Sequence, residues 1–321
     1  MTMPRNCTWI IVVACLLSAG TSAWADELPT KRLLLLGQGP DGHPPATHEY
    51  LAGQRILSKC LEQSSGLTAE IVRADEPWTE GPELIAKADG AVLFVSEGAK
   101  WLQDDPRRLD AFSRLAARGG GLAGLHWGIG TKEPAPIESY LKLFGGCHGG
   151  PDRRFTVIEE TLRPVEPRHP ITTGIQPLRV RDEFYFRLKF VPGDNQVRPL
   201  VTVPIEGRDE AVAWAWERPD GGRSFGFSGL HFHENWRHEF YRRLVVQGVL
   251  WSLKLPIPPE GAKVEVAEED LKLNAEGRKR RKDHRVPRSG MGTKHETTDA
   301  LEGREYGRVV RYMKRRLIAA T

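Results

Sequence analysis

The stretch of greatest chemical interest is Gly119-Gly120-Gly121-Leu122-Ala123-Gly124-Leu125-His126-Trp127-Gly128. An apolar run feeds a sharp turn, and Gly124-x-His126-x-Gly128 has the spacing of a nucleophile elbow, in which flanking glycines hold the central side chain at the carboxyl edge of a sheet. The central residue is His126 rather than Ser or Cys. An imidazole does not readily form the thioester that glutamine hydrolysis requires, but it can ligate a metal or move a proton.

Further polar residues fall at the ends of expected strands, where open α/β sheets place their ligands. They are Gln38, His43 and His48 after the first strand, Glu97 after the third, and His148 within Gly145-Gly146-Cys147-His148-Gly149-Gly150. Asp182-Glu183-x-Tyr185 and His231-x-His233 complete the set. On an extended chain His231 and His233 point to one side, a spacing suited to one divalent metal. His126, His148, His231 and His233 are thus the residues that could hold a cation such as zinc. Two plainer readings stand beside these: ten histidines in 321 residues is ordinary, and Asp182-Glu183 can be a turn whose carboxylates cap backbone amides.

Gly37-Gln38-Gly39-Pro40-Asp41-Gly42 satisfies G-x-G-x-x-G directly after a strand, which invites a dinucleotide site. That fingerprint needs a helix to open within the glycine loop. Pro40, Pro44 and Pro45 delay the helix to about His48, and the acidic Asp75 comes too late for a ribose contact. A dinucleotide cofactor is not expected.

The elements that must position these residues alternate as in a parallel sheet covered on both faces. Strands are expected at Lys31–Gly37, Leu67–Arg73, Gly90–Ser96 and Leu122–Leu125, with helices from His48 to Gln63, from about Pro106 to Arg118, and over Pro136–Phe144. Asp104 or Asp105 caps the second of these helices. The second half reads as strands at Arg154–Glu160, Arg179–Phe190, Arg198–Val203, Glu210–Glu217 and Arg223–Ser228, followed by a helix from about Asn235 to Leu253.

The net charge of +4 is unevenly spread: Arg278–Arg316 carries +9 and the remainder −5. Nothing therefore supports nucleic-acid binding by the main domain. Arg5, the apolar run Trp9–Leu17 and Ala23-Trp24-Ala25 read as a secretory signal over 1–25, which implies a periplasmic or extracellular protein. Cys15 in Val12-Val13-Ala14-Cys15 offers a rival lipoprotein reading, disfavoured because the apolar run continues. Export permits a disulfide between Cys60 and Cys147, but two unpaired thiols is the preferred reading. Residues 26–257 form the domain, and 258–321 a linker and basic tail whose Tyr306, Val309, Val310, Met313 and Leu317 could face an envelope surface, a partner or the chain's own domain.

Together LLLLGQG, GGGLAGLHWG, LFGGCHGG, RHPITTGI with RDEFYFRL, AVAWAWER, and GRSFGFSGLHFHENW leading into RRLVVQGVLWSL resemble the ThuA-like (trehalose utilisation) domain over about Lys31 to Leu255. The resemblance implies an α/β flavodoxin-like fold of the class I glutamine amidotransferase type, with a mostly parallel sheet and helices on both faces, and a link to sugar metabolism. It places His126 where amidotransferases keep a cysteine, His148 at a second glycine-flanked histidine, and Asp182, Glu183 and Tyr185 on a DE-x-Y segment. On this basis the catalytic candidates are His126, His148, Glu183 and Tyr185, with Gln38, His48, Glu97, Trp127 and Asp182 as substrate-binding candidates. The expectation is acid–base chemistry, isomerisation or hydrolysis, on a sugar or keto-sugar. Its rival is a non-catalytic carbohydrate-binding or envelope module contacting ligand through Trp101, Trp127 and Trp236. A glutaminase is not expected.

Overall fold

The computed structural model describes residues 30–193 and 197–273. The expected signal segment, Cys15 and the basic tail at 278–321 lie outside the described residues. In chain order the elements are β1 (Lys31–Gly37), α1 (Tyr50–Leu61), β2 (Leu67–Arg73), α2 (Gly81–Ala86), β3 (Gly90–Phe94), α3 (Gly98–Asp104), α4 (Pro106–Ala117) and β4 (Gly121–Leu125). Then follow β5 (Gly130–Thr131), α5 (Ile137–Phe144), β6 (Gly146–Gly149), β7 (Arg154–Pro164), β8 (Leu178–Phe186), β9 (Lys189–Phe190), β10 (Val197–Ile205), β11 (Arg208–Glu217), β12 (Arg223–Phe227) and α6 (Glu239–Ser252).

The four leucines of β1 show how the layers are built. Side chains alternate along a strand, so Leu33 and Leu35 enter one core with residues of α1 and α6, while Leu34 and Leu36 enter a second core with residues of α2, α3, α4 and α5. All four are at most 1% exposed, so the strand is covered on both faces. Each such burial stabilises by about 1.5–3 kcal/mol. Asp105 caps α4 by accepting from the Arg107 amide at 2.9 Å, Pro106 opens the first turn, and Gly119 at φ +78° follows its end.

The large sheet has nine strands in the order β2-β1-β3-β4-β12-β11-β10-β7-β8. β2, β1, β3, β4 and β12 run parallel to their neighbours, but from β12 to β8 every pairing is antiparallel. The sheet is therefore mixed, which corrects the expectation of a mostly parallel one. The reason is connection length: parallel neighbours need a crossover of a dozen or more residues, whereas β10 and β11 are joined by Glu206-Gly207 at φ +50° and +76°. Such a two-residue turn with both φ positive makes a hairpin.

This antiparallel half adds a carboxylate and a phenol to histidines that follow the parallel strands β1, β4 and β12. β8, at the end of the sheet, touches β11 and brings Glu183 and Tyr185 to His126, which follows the centrally placed β4. A small sheet of β5, β6 and β9 holds His148 opposite Gly130.

The chain stays packed beyond residue 257. Ala262 and Val264 are buried, the Arg242 Nε donates to the Val264 carbonyl at 2.7 Å, and His233 Nε2 lies 2.9 Å from the Leu271 carbonyl. The described part of the expected linker thus belongs to the compact body. Among the described residues Cys60 and Cys147 are unpaired and buried, and burial pushes both thiols up to about 12. No helix among the described residues is long and apolar enough to cross a membrane.

Candidate metal centre

His126 sits on the elbow as its glycine spacing implied. β4 ends at Leu125, the chain turns into a short 3-10 helix over His126–Ile129, and His126 itself adopts φ +46°. His48 (φ +52°) and Leu230 (φ +80°) also hold left-handed conformations, costly for non-glycine residues and often found at functional sites. Crowding enforces the elbow, since a Cβ on Gly128 would meet the Leu93 carbonyl at 2.5 Å.

Three histidines from three segments converge. His48 Nε2 lies 3.0 Å from His126 Nε2 and 3.1 Å from His231 Nδ1, and the latter two nitrogens are 3.2 Å apart. Glu183 Oε1 stands 3.5 Å from His231 Nδ1 and 3.9 Å from His126 Nε2. The Tyr185 hydroxyl is 3.1 Å from His126 Nε2. Backbone contacts unite the first and last segments: the His48 amide donates to the His231 carbonyl at 3.1 Å, and Thr47 bridges to Phe232.

The outer nitrogens fix the tautomers. His126 Nδ1 is 2.8 Å from the Ser228 carbonyl, which can only accept, so Nδ1 carries the proton. His48 Nδ1 is 2.9 Å from an Asp41 carboxylate oxygen and likewise carries a proton. Both inward-facing Nε2 atoms therefore present lone pairs to each other with no proton between them. His231 Nδ1 can donate to only one of them, and its Nε2 has no hydrogen-bond partner among the described residues.

Burial lowers the pKa of all three histidines, with the charges of neighbouring histidines acting in the same direction. Neutral imidazoles are the form that binds metal. Burial also raises the Tyr185 hydroxyl well above its ordinary value, with the Glu183 charge adding to it, so the group is a neutral phenol. Metal–N bonds of about 2.0–2.1 Å imply N···N separations from roughly 2.9 Å at a right-angled N–metal–N corner to roughly 3.4 Å at a tetrahedral one. The observed separations of 3.0–3.2 Å fall inside that range. The residues present fit a divalent cation held by His48, His126 and His231 with Glu183 beside them.

Of the residues singled out in the sequence, His126, His48, His231, Glu183 and Tyr185 are brought together. His148 is joined to the cluster through Tyr185, whose ring stacks on His148 at 4.0 Å and on His126 at 4.6 Å. It adds no ligand atom to the cluster. Burial, then Arg153 and Lys189, pushes its pKa down to about 3. Trp127 packs edgewise on Tyr185 and tilted against His148.

The remaining candidates have other work. His233 leaves the cluster because the extended chain ends at Phe232 and a 3-10 helix begins, which turns its ring toward Leu271. Asp182 is fully buried, accepting from the amides of Leu230, Phe232 and Glu183 and from the Tyr241 hydroxyl, so it holds the loop bearing His231. Gln38 spans the Ala74 carbonyl and the Ser96 amide, and Glu97 accepts from the Lys132 amide. These three brace loops around the site. Asp41 and Tyr50 do reach the site's edge, each 2.9 Å from His48 Nδ1, as partners that the sequence reading did not single out.

A surface groove of about 510 Å3 between β7, β8 and the end of β10 takes in no member of the cluster. Its lining holds Arg154, Glu159, Glu160 and Glu206 but no imidazole.

Comparison with known proteins points to one family. The model for ThuA, trehalose utilisation, matches residues 41–252. The fold is similar to the crystal structure of a ThuA-like protein from Bacteroides uniformis, with 16% identity, a TM-score of 0.54, and 73% of this chain and 95% of that chain covered. A structure of PurLQS from Thermotoga maritima aligns more loosely, with 14% identity, 70% and 98% coverage and a TM-score of 0.40. No curated protein matches.

Proposed function

Starting from the fact that the chain belongs to the ThuA (trehalose utilisation) family, we propose that it is a metal-assisted enzyme acting on a carbohydrate, a sugar or keto-sugar. The observation that carries this reading is the meeting of His48 Nε2, His126 Nε2 and His231 Nδ1 within 3.0–3.2 Å, two of them fixed as lone pairs. Without a cation, the Tyr185 hydroxyl and the His231 Nδ1–H are within reach to donate to these lone pairs; a cation would take the place of those hydrogen bonds. A bound zinc-type ion would polarise a sugar oxygen or the carbonyl of a keto-sugar.

The chain's own groups supply the proton chemistry. Glu183 is the carboxylate beside the cluster, suited to take a proton from a hydroxyl or from a carbon next to a carbonyl. Tyr185, a neutral phenol stacked between histidines, is suited to donate one or to orient a hydroxyl. Isomerisation and hydrolysis both use this pair. The elbow bears His126 where an amidotransferase needs a thiol, which argues against glutamine hydrolysis. Export to the periplasm or outside the cell, from the 1–25 segment, is part of the same proposal.

Metal analysis of the purified protein, followed by product detection with trehalose, glucose and their 3-keto derivatives with and without chelator, tests the reading. One equivalent of divalent metal and chelator-sensitive turnover, both lost in His126→Ala, is the expected result. Sugar binding without turnover under every condition transfers the site to the rival class, a carbohydrate-binding module.

A further inference from the structure

We infer that Asp41 is the positioning residue that makes His48 a cation ligand, and that the loop over Gly37–Gly42 serves this purpose rather than holding a nucleotide. The inference rests on the metal reading above.

Asp41 uses both oxygens. Oδ2 accepts from His48 Nδ1 at 2.9 Å and from the Tyr50 hydroxyl at 2.7 Å, while Oδ1 accepts from the His43 amide at 3.2 Å and faces His43 Nδ1 at 2.8 Å. His43 in turn lays its ring over His48 with centroids 3.6 Å apart. The His48 ring is therefore clamped at its outer nitrogen and on one face, with Nε2 aimed inward.

The loop's composition supports this arrangement. Gly42 adopts φ +100°, which reverses the chain directly after Asp41, and a Cβ there would meet nothing, so backbone conformation and not space demands the glycine. The Gly39 amide is taken by Asp75 at 2.8 Å, leaving that donor engaged within the protein. His48 itself holds φ +52°, a conformation that persists only where surrounding contacts over-determine it.

A carboxylate that accepts the outer N–H of a ligating histidine fixes its tautomer and raises the basicity of the inner nitrogen, and losing such a partner typically costs about 10–100-fold in metal affinity. Zn2+ affinity is to be measured on the full chain by competition with a chromophoric chelator, and site geometry from the visible absorption of bound Co2+. Wild type, Asp41→Ala, Asp41→Asn and Tyr50→Phe are compared, with the thermal midpoint of each metal-free protein as the folding control.

The expected result is one equivalent of metal in wild type, affinity weaker by about 10–100-fold in Asp41→Ala, a smaller loss in Asp41→Asn, and an altered Co2+ spectrum in both. Should Asp41→Ala not fold, Asp41→Asn and Tyr50→Phe carry the comparison, since both keep the side-chain shape. Unchanged affinity and spectrum in the Asp41 variants overturns the inference. So does a second equivalent in wild type that Asp41→Ala loses, because Asp41 would then be a ligand itself. A wild type that takes up neither Zn2+ nor Co2+ overturns the metal reading before any variant is compared.

Discussion

The Tyr185 hydroxyl stands 3.1 Å from His126 Nε2 while the Tyr185 ring stacks on the His126 imidazole at 4.6 Å. One side chain thus supplies packing and a proton donor. Tyr185→Phe separates the two roles, because the ring and its stack on His148 remain. Cation affinity is expected to stay within about threefold of wild type, while turnover falls by about 10²–10⁴-fold, the usual range for a positioned acid or base. Unchanged turnover in single-substrate kinetics removes Tyr185 from the chemistry and leaves it a packing residue.

Asp182 governs stability and, through the loop at Leu230–Phe232, the placement of His231. Burial raises its pKa to about 6 in spite of four donors, so the group is costly to bury and more costly to remove. Asp182→Ala leaves a Tyr241 hydroxyl and several amides unpaired in the core, and at about 1–3 kcal/mol for each buried donor left unsatisfied this predicts a loss of about 3 kcal/mol or more. Urea denaturation measures the loss, and Zn2+ competition should show weaker binding as His231 loses its support. An alanine variant as stable as wild type contradicts the anchoring role.

Much of this site was written in local sequence, and the rest was not. Gly124-x-His126-x-Gly128 foretold the elbow because steric demands on a tight turn are local, and KRLLLLG foretold β1 because a doubly covered strand must be apolar throughout. The partnership of His48 with His231 joins residues 183 positions apart, and no periodicity reports such a contact. Asp41 was hidden by its neighbours: the glycines and prolines around it were read for what they exclude, not for what they might hold. Spacing also misled at His233, since the x-His rule applies only while the chain stays extended, and it stops at Phe232. Strand positions in the second half were legible, but their antiparallel pairing depended on turn lengths such as Glu206-Gly207, which a strand-by-strand reading does not weigh.

Gly98 links helix α3 to the elbow. A Cβ on Gly98 would lie 2.1 Å from the Gly128 carbonyl oxygen, so Gly98→Ala must push α3 away from the turn that carries His126. The expected cost is above about 2 kcal/mol, with weaker cation binding as the turn shifts. Gly119→Ala serves as the comparison, because its Cβ would meet nothing and only φ +78° penalises it, by about 1–2 kcal/mol. Cation affinity should be unchanged in Gly119→Ala. Equal metal-binding loss in both variants, measured alongside urea midpoints, separates general destabilisation from a specific effect on the elbow and goes against the specific one.

The buried histidines make the metal-free fold sensitive to acid. Burial, assisted by Arg153 and Lys189, pushes His148 down to about 3, and burial with Arg198 and Arg223 pushes His169 down to about 4. An unfolded histidine titrates near 6.5, so below that pH the unfolded chain binds protons that the folded protein refuses. The contribution of these groups is complete above about 6.5 and drains as pH falls, ending near 4 for His169 and near 3 for His148. At pH 4.5 His148 alone accounts for about 3 kcal/mol at roughly 1.4 kcal/mol per pH unit. Asp182 works in the opposite sense, since its contribution is present below 3.8 and lost as pH rises through about 6, but it is one group against several buried imidazoles. Thermal unfolding in chelator should therefore show a midpoint that drops by more than about 5 °C between pH 7 and pH 4.5. His148→Gln should flatten part of that slope, whereas a midpoint that holds level across the interval means these rings take up protons freely in the folded state.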